Sequence, residues 1–279
     1  MKYKIIIFIM AIILIGGCDT KEKQETVKND EEKITTTEQI VVFNDKKLEE
    51  MIRQQISKLE GNILSTDMLN VYSIDLDSTT ITDLTGLEYA KNLDSISIVH
   101  NDIKSLSPIS DITSLTYINI SNSNIEKPIE LGNLSNLETF NLIETNISNI
   151  NFLKNLTAIT KLNLSKNNIV TINALKNLNN LKELDLSTNK IYSVSALENK
   201  EKLEKIILYQ NEVTEIDVLN SCISLKKLDL SYNNVTNLKP LQSLPNLIEL
   251  IIYEQLDNRV VDQGQIAALM AKGVNVSYH

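Results

Sequence analysis

The segment LKELDLSTNKI, residues 181–191, decides the fold of this 279-residue chain, because its pattern returns every 22 residues. Leu181, Leu184 and Leu186 hold positions 1, 4 and 6 of the repeat, Asn189 holds position 9 and Ile191 holds position 11. Position 1 is apolar throughout and is occupied by Val71, Leu93, Leu115, Leu137, Ile159, Leu181, Leu203, Leu225 and Leu247. The spacing contains no insertion, so eight full repeats and a partial ninth account for residues 71–256.

Each repeat predicts a short strand followed by a tight return segment. Residues around positions 4 and 6 alternate between apolar and polar, which is typical of a strand with one buried face. After position 11, apolar residues come at every third place, as in Ile103, Leu106 and Ile109, and this spacing suits a 3₁₀-like or extended segment. Pro108 and Pro240 occupy the same place in two return segments and fit that geometry.

The pattern LxxLxLxxNxI is that of the leucine-rich repeat. It predicts an α/β fold in which the repeats form a right-handed solenoid. Parallel strands line the concave face, and the 3₁₀ or extended segments form the convex side. A helical N-terminal cap and a helix–strand C-terminal cap complete the expected architecture, because a solenoid exposes apolar ends unless other residues cover them.

Position 9 predicts a ladder of buried side-chain hydrogen bonds. It is occupied by Asn101, Asn167, Asn189, Asn211 and Asn233 and, in three other repeats, by Thr79, Ser123 and Thr145. An amide can both donate to and accept from backbone groups that would otherwise be buried without partners. We therefore expect a structural role for these residues and a weaker ladder in the N-terminal half.

Two residues at one inward place of the return segment carry different expectations. Cys222 is expected to fill the core as a small apolar residue. Lys200 departs from the apolar pattern at the same place, so we expect its side chain to reach the surface.

The segments on either side of the repeats predict the two caps. Residues 39–70 form the N-terminal cap, whose helix should start at Asn44 or Asp45 and end near Gly61. Its apolar residues recur at helical spacing and are Leu48, Met51, Ile52, Ile56 and Leu59. Residues 257–279 form the C-terminal cap, with a helix from Asp262 to Lys272 and a last strand from Val274 to Tyr278. The apolar residues of that helix are Ile266, Leu269 and Met270.

The N-terminal segment predicts export and lipid anchoring. Lys2 and Lys4 precede an apolar run over residues 5–15, which is too short to span a bilayer and is typical of a secretory signal. Gly16-Gly17-Cys18 follows and resembles the lipobox of bacterial lipoproteins, in which the signal, here residues 1–17, is cleaved and the new N-terminal cysteine carries fatty acyl (palmitate-type) chains. The alternative is an ordinary cleaved signal with an incidental cysteine.

Residues 18–38 consist, after Cys18, almost wholly of polar and charged residues and predict a solvated tether. Two or more acyl chains anchor a protein stably. The resemblance to lipoproteins therefore implies a location on the outer face of a bacterial cell membrane, with the tether holding the repeats away from the lipid.

Composition and charge exclude several functions. The chain carries 27 basic and 36 acidic residues, a formal charge of −9, so no basic face for nucleic acid is expected. Two cysteines are too few for a disulfide scaffold. The sequence contains no GxGxxG, P-loop or HExxH motif, and its two histidines, His100 and His279, join no catalytic set. We expect no enzymatic activity, no cofactor and no metal. Asp75, Asp77, His100 and Asp102 leave a weak cation site open as an alternative.

A partner-binding surface is predicted on the strand face, where positions 3, 5 and 7 point outward with position 8 beside them. Most of these residues are polar. The exceptions are Ile207, Tyr209, Tyr232, Ile251 and Tyr253 in the C-terminal repeats and, as a weaker group, Val99, Tyr117 and Ile143. Exposed aromatic and aliphatic residues on such a face are typical of a binding hot spot. The alternative is that the C-terminal cap, or its Tyr278-His279 end, covers the first group.

The cap and first repeat resemble those of internalin-type repeat proteins. The resemblance rests on Phe43-Asn44-Asp45 followed by Leu48 and Ile52, on the segment LTGLEYAKNL at residues 84–93, on the 22-residue period and on proline in the return segment. It covers roughly residues 41–256 and implies a bacterial surface protein that binds a host or envelope protein through its concave face, in an adhesin-like way. The family's role in invasion is not carried over, because we expect anchoring through Cys18. A structural protein that mediates self-assembly or contact with the cell wall is the alternative.

Overall fold

The computed structural model describes residues 38–125, 130–131, 133–254 and 261–278. The expected signal sequence, Cys18 and nearly all of the expected tether lie outside the described residues. Ten parallel strands form one sheet in which the strands follow one another in chain order. They are β1 (Ser73–Asp75), β2 (Ser95–Val99), β3 (Tyr117–Ser121), β4 (Thr139–Ile143), β5 (Lys161–Asn163), β6 (Glu183–Asp185), β7 (Lys205–Ile207), β8 (Lys227–Asp229), β9 (Glu249–Ile251) and β10 (Asn275–Ser277).

The register of the sheet follows the repeat. From β1 to β9 each strand residue pairs with the residue 22 places further along, as Leu162 does with Leu184 and Leu184 with Ile206. Positions 4 and 6 are therefore stacked into continuous inward columns, and nearly all of these side chains are buried. The predicted leucine-rich-repeat solenoid, with parallel strands on its concave face, is confirmed.

The return segments form short 3₁₀ helices, as the three-residue spacing predicts. Those that follow the strands are Leu87–Tyr89, Ser107–Ile109, Asn151–Asn155, Asn173–Asn177, Ser195–Leu197, Asp217–Ser221 and Lys239–Ser243. Pro108 and Pro240 stand in the first turn of two of them, where no helical amide is lost. The apolar residues of these segments face the core, as Leu153 and Leu175 do.

Position 8 has a left-handed backbone in every repeat, which the sequence does not mark with glycine. His100, Lys166 and Gln210 have φ angles of 56°, 55° and 57°, and Tyr232 has 56°. The amide at this position donates to the carbonyl of position 7 in the next repeat, as Gln210 does to Ser231 at 2.9 Å. The turn directs position 9 into the interior, and the hydrogen bond between repeats offsets part of the backbone strain.

The ladder at position 9 is formed as predicted. The Asn211 amide nitrogen donates to the carbonyls of Leu186 at 2.9 Å and Leu208 at 3.0 Å, and its side-chain oxygen accepts from the Ile191 amide at 3.0 Å. The same contacts recur at Asn233. Each asparagine thus joins two consecutive repeats.

A second asparagine ladder lies just before the strands and was not predicted. The side-chain amides of Asn92, Asn136, Asn180 and Asn246 each donate to the backbone carbonyl 23 residues earlier, at 2.8–2.9 Å. These bonds tie the starts of β2, β4, β6 and β9 to the preceding repeat. They account for a further part of the 33 asparagines in the sequence.

The N-terminal cap begins with helix α1 (Lys46–Gln55). Asp45 is its N-cap, and the other oxygen of that carboxylate accepts from the Thr82 amide at 3.0 Å, which ties the helix to the first repeat. Gly86 has a φ of 105°, and a Cβ there would lie 2.6 Å from the Phe43 ring. Only glycine therefore fits against the cap at this place.

The extent of α1 differs from the prediction at its C-terminal end. Leu48 and Ile52 are buried as expected, but the helix ends at Gln55, and Leu59 is 71% exposed. Arg53 explains the early end, because its guanidinium donates to the carbonyls of Lys58 and Gly61 and holds the following residues in a loop. The 3₁₀ helix Asp67–Asn70 completes this cap.

The C-terminal cap agrees with the prediction except at one residue. Helix α2 (Gln263–Ala271) is capped by the Asp262 side chain, and β10 follows it and extends the sheet beside β9. Ile266 and Leu269 are buried, whereas Met270 is 49% exposed. The burial of Ile266 and Leu269 suffices to seal the last repeat, and Met270 lies at the edge of that contact face.

The prediction that Lys200 reaches the surface is wrong. The residue is 2% exposed, and its ammonium donates to the Lys176 carbonyl at 2.6 Å and to the Asn179 side-chain oxygen at 2.9 Å. These two acceptors receive two of the three ammonium N–H groups, so the side chain ends beneath the surface without extending into water. Burial lowers the pKa of Lys200 below its ordinary value.

We expect Lys200→Leu to raise the free energy of unfolding at neutral pH by about 1 kcal/mol, or about 2–4 °C in Tm. Leucine holds this column at Leu178 and Leu244 and needs no desolvation of charge. The pKa of Lys200 in the folded chain lies below its ordinary value of 10.5. At a pH between these two pKa values, the unfolded chain therefore binds more protons than the folded chain. The wild type therefore gains stability as the pH rises toward that value, and the advantage of the variant shrinks.

Urea unfolding at about pH 7 and about pH 10 measures this difference. Lys202→Leu is the matched control, because Lys202 is exposed and its ammonium meets the side chain of Asn180 at the surface. A Lys200→Leu variant less stable than wild type at neutral pH would contradict the expectation, as would an advantage that grows with pH.

Candidate binding surface

The five C-terminal candidates occupy the strand face and the adjoining turn of three consecutive repeats. Ile207 and Ile251 lie on β7 and β9, with Asp229 of β8 between them in the register. Tyr209 and Tyr253 follow these strands and are each 37% exposed, while Tyr232 occupies the left-handed turn after β8. We call Tyr209, Tyr232 and Tyr253 the tyrosine cluster.

The tyrosine cluster is held by backbone and side-chain contacts. The rings of Tyr209 and Tyr232 meet edge to face, with centroids 5.2 Å apart and an interplanar angle of 67°. The Tyr232 amide donates to the Tyr253 carbonyl at 3.0 Å, and the Tyr253 amide donates to the Ser231 hydroxyl at 3.1 Å. The Glu254 carboxylate, which accepts the phenolic hydrogen bond, raises the pKa of Tyr232 above its ordinary value.

The described C-terminal cap leaves this surface accessible. Helix α2 packs beside the 3₁₀ helix Lys239–Ser243, on the side opposite the strand face, and Gln265 accepts a hydrogen bond from the Leu238 amide there. β10 lies beside β9 in the sheet rather than across it. Tyr278 packs against the core, and His279 lies outside the described residues.

The weaker N-terminal group does not form one cluster. Val99 and Ile143 stand at the ends of β2 and β4, with Ser121 between them in the register, and both are half-buried. Tyr117 lies at the opposite end of β3 and is exposed. These residues are separate points on the strand face.

Position 7 is less exposed than the alternation predicts. Ser121, Ser165 and Ser231 stand at this outward position, yet they are 5%, 7% and 1% exposed. These three serines are covered by their neighbours, and Ser231 lies between the larger Tyr209 and Tyr253. Tyr209 and Tyr253 are exposed at this position, whereas the serine between them is not.

A column of charges at position 3 was not singled out from the sequence. Lys161 pairs with Glu183 at 2.7 Å, and Lys227 pairs with Glu249 at 2.8 Å. Lys205 stands between these two pairs and forms no ion pair within the part of the chain that the structure describes. The signal for this feature is the order Lys, Glu, Lys, Lys, Glu at intervals of 22 residues.

The described residues of this surface offer neither a metal site nor a reactive nucleophile. Among the described residues, no three His, Cys, Asp or Glu side chains come together in a way that could hold a metal ion. Asp77 instead accepts hydrogen bonds from Ser97 and from the Val99 amide. Cys222 is buried, as predicted, and burial raises the pKa of its thiol to about 11, so it is a poor nucleophile.

No helix in the described ranges is long and apolar enough to cross a bilayer.

Comparisons with known proteins agree with this geometry. The family model of the leucine-rich-repeat domain of the endo-β-N-acetylglucosaminidase EndoS matches residues 43–168. Internalin C2 of Listeria monocytogenes shares 24% sequence identity, with a TM-score of 0.71 over 76% of this chain and 94% of internalin C2. The chain therefore has the leucine-rich-repeat fold, of the type found in internalin C2.

Two further solved structures are similar to this chain in fold. Internalin F of Listeria monocytogenes has 22% identity and a TM-score of 0.62, covering 85% of this chain and 63% of internalin F. A leucine-rich-repeat protein of Leptospira interrogans has 18% identity and a TM-score of 0.62, covering 76% of this chain and 62% of that protein. No curated protein sequence matches the chain.

Proposed function

We propose that this leucine-rich-repeat protein is a non-enzymatic binding module that captures a protein partner, from a host or from the bacterial envelope, with its strand face. The tyrosine cluster carries the proposal, because it places two exposed aromatic rings and a third in edge-to-face contact on an otherwise polar surface. Lipid on Cys18 holds the module at the outer face of the bacterial membrane. A net charge of −9 disfavours nucleic acid as the partner.

The fold supports this function through its rigidity. Two asparagine ladders and a continuous sheet fix the positions of the outward residues relative to one another. A preorganised surface loses little conformational freedom when a partner docks, so its aromatic contacts translate into affinity. The internalin-type neighbours share the solenoid on which such a surface is presented.

The test begins with proximity labelling on intact cells to identify the partner, followed by binding measurements with the purified partner. We expect Tyr209→Ala combined with Tyr253→Ala to weaken that binding by at least about tenfold. The melting temperature should change little, because both rings are partly solvated and pack outside the core.

Tyr192→Ala is the matched control, because Tyr192 is 54% exposed and lies outside the cluster. Unchanged binding by the double variant would refute the tyrosine cluster as the main contact. Concentration-dependent sedimentation of the purified chain distinguishes this function from self-assembly, which would appear as a rising sedimentation coefficient in the absence of any partner.

A further inference from the structure

The charge column at position 3 contains one unbalanced lysine. Lys205 lies directly opposite Glu183 on one side and Lys227 on the other. Glu183 is taken by Lys161, and Lys227 is taken by Glu249. Lys205 is thus left next to a like charge, an arrangement that destabilises neighbouring strands.

Lys205 also stands where two shallow depressions of the strand face meet. One, of about 240 Å³, extends from Thr139 to Ile207, and the other, of about 250 Å³, extends from Lys205 to Ile251. Each is smaller than the roughly 300–1,000 Å³ typical of sites for whole small molecules. Their size instead suits single side chains of a protein partner.

The residues that follow Lys205 on the same face are apolar. Ile207 and Tyr209 stand two and four residues further along the chain, on the same side of the strand. At about 3.3 Å per residue, Lys205 and Tyr209 lie about 13 Å apart. A cation, an aliphatic side chain and an aromatic ring therefore form one line across the surface.

We propose that Lys205 is the docking point for a carboxylate of the protein partner, on an extended segment whose apolar side chains lie against Ile207 and the tyrosine cluster. The partner segment carries Asp or Glu, then large apolar residues about two and four places away. The inference rests on the proposed function and adds the chemistry of the partner. Charge complementarity supports it, because a carboxylate supplies Lys205 with the counterion that its own column lacks.

A stability measurement on the chain alone provides the first check. Lys205→Thr removes the like-charge neighbour of Lys227, and threonine is already found at position 3 as Thr139. We expect its Tm to equal or exceed that of the wild type. Lys161→Thr, which breaks the pair with Glu183, should give a lower Tm than Lys205→Thr. A clear loss of stability in Lys205→Thr would show that the lysine stabilises the fold and would overturn the proposal.

The binding test uses a randomised library of extended peptides, selected on the full chain immobilised in detergent. We expect enriched peptides to combine an acidic residue with apolar residues two and four places away. Their binding should fall about tenfold or more on Lys205→Thr, as expected for a charge-assisted contact, and change little on Lys226→Thr, which removes an exposed lysine paired with Glu204 and leaves Glu183 with Lys161.

The outcomes separate this inference from the proposed function. Peptides that depend on Tyr209 and Tyr253 but not on Lys205, or that carry basic residues instead, would overturn the carboxylate contact and leave the binding surface in place. Peptides that bind independently of the two tyrosines would overturn the proposed surface itself. A selection that enriches no peptide would count against both.

Discussion

Replacing Asn211 with alanine is expected to lower the free energy of unfolding by about 2–4 kcal/mol, because the substitution removes one rung of a buried ladder. The residue is 2% exposed, and its side chain satisfies the Leu186 and Leu208 carbonyls and the Ile191 amide. Alanine leaves the Ile191 amide without its partner in the interior, while the Leu186 and Leu208 carbonyls each keep one donor, from Asn189 at 3.0 Å and from Asn233 at 2.8 Å. A buried amide without a partner costs about 1–3 kcal/mol, and each hydrogen bond lost from a carbonyl that keeps another donor costs about 0.5–1.5 kcal/mol.

Urea unfolding gives the change in stability, and the Tm should fall by about 10 °C. Hydrogen exchange adds a local readout, because the Ile191 amide donates directly to Asn211 and should exchange faster in the variant. Asn220→Ala is the matched control, since Asn220 is an exposed asparagine on a 3₁₀ helix. A loss below about 1 kcal/mol would show that water or relaxed backbone replaces the rung.

A serine at Asn211 tests the same ladder with a side chain that can still form part of the hydrogen bonds. Ser123 holds the equivalent position, and its hydroxyl donates to the carbonyls of Ile98 at 3.3 Å and Ser121 at 2.9 Å. Asn211→Ser should therefore recover part of the stability that Asn211→Ala loses. The same comparison gives the difference in stability between asparagine and serine at position 9, which is the basis for predicting a weaker ladder in the N-terminal half.

The regular part of the fold could be predicted because each repeat repeats the same chemistry. Alternation specifies the strand, three-residue spacing specifies the 3₁₀ return, and a buried asparagine has few other ways to satisfy its amide. The left-handed turn at position 8 could not be read, because Ser78, His100 and Tyr232 share no property that marks it. The constraint lies in the hydrogen bond to the next repeat rather than in the residue.

The exceptions lie where neighbouring repeats decide the outcome. Lys200 is buried because Lys176 and Asn179 of the preceding repeat supply acceptors, and neither residue is unusual in itself. Ser231 is buried between Tyr209 and Tyr253, its neighbours in the column. Lys205 is unpaired only because its one adjacent glutamate, Glu183, pairs with Lys161, and its other neighbour is Lys227. A single repeat carries none of this information, so the columns must be compared across strands.

The tyrosine cluster was visible in the sequence as a break in a polar column, but its accessibility was not. Position and residue type gave the candidates, whereas exposure depended on where the cap would pack. Within the described residues of the cap, α2 packs beside Lys239–Ser243 and β10 beside β9, and both leave the cluster accessible.

Changing Cys18 to serine is expected to abolish lipid attachment, an all-or-none effect that tests the proposed location. The only other cysteine, Cys222, is buried with a thiol pKa of about 11, so it should neither accept a fatty acid nor react with thiol reagents in the folded chain. A clickable palmitate analogue fed to cells should label the wild type and fail to label Cys18→Ser. Cys222→Ser is the matched control and should label normally.

Thiol counting with a maleimide gives an independent readout of the same proposal. The lipid-bearing chain should show no reactive thiol when folded and one when denatured, because Cys18 is blocked and Cys222 is buried. A precursor that escapes modification should show one reactive thiol when folded and two when denatured. Two or more acyl chains hold a protein stably at a membrane, so the labelled form should partition wholly into detergent. Lipid label on Cys18→Ser, or an unlabelled wild type with a free Cys18 thiol, would refute the anchor and leave the binding module without its proposed attachment.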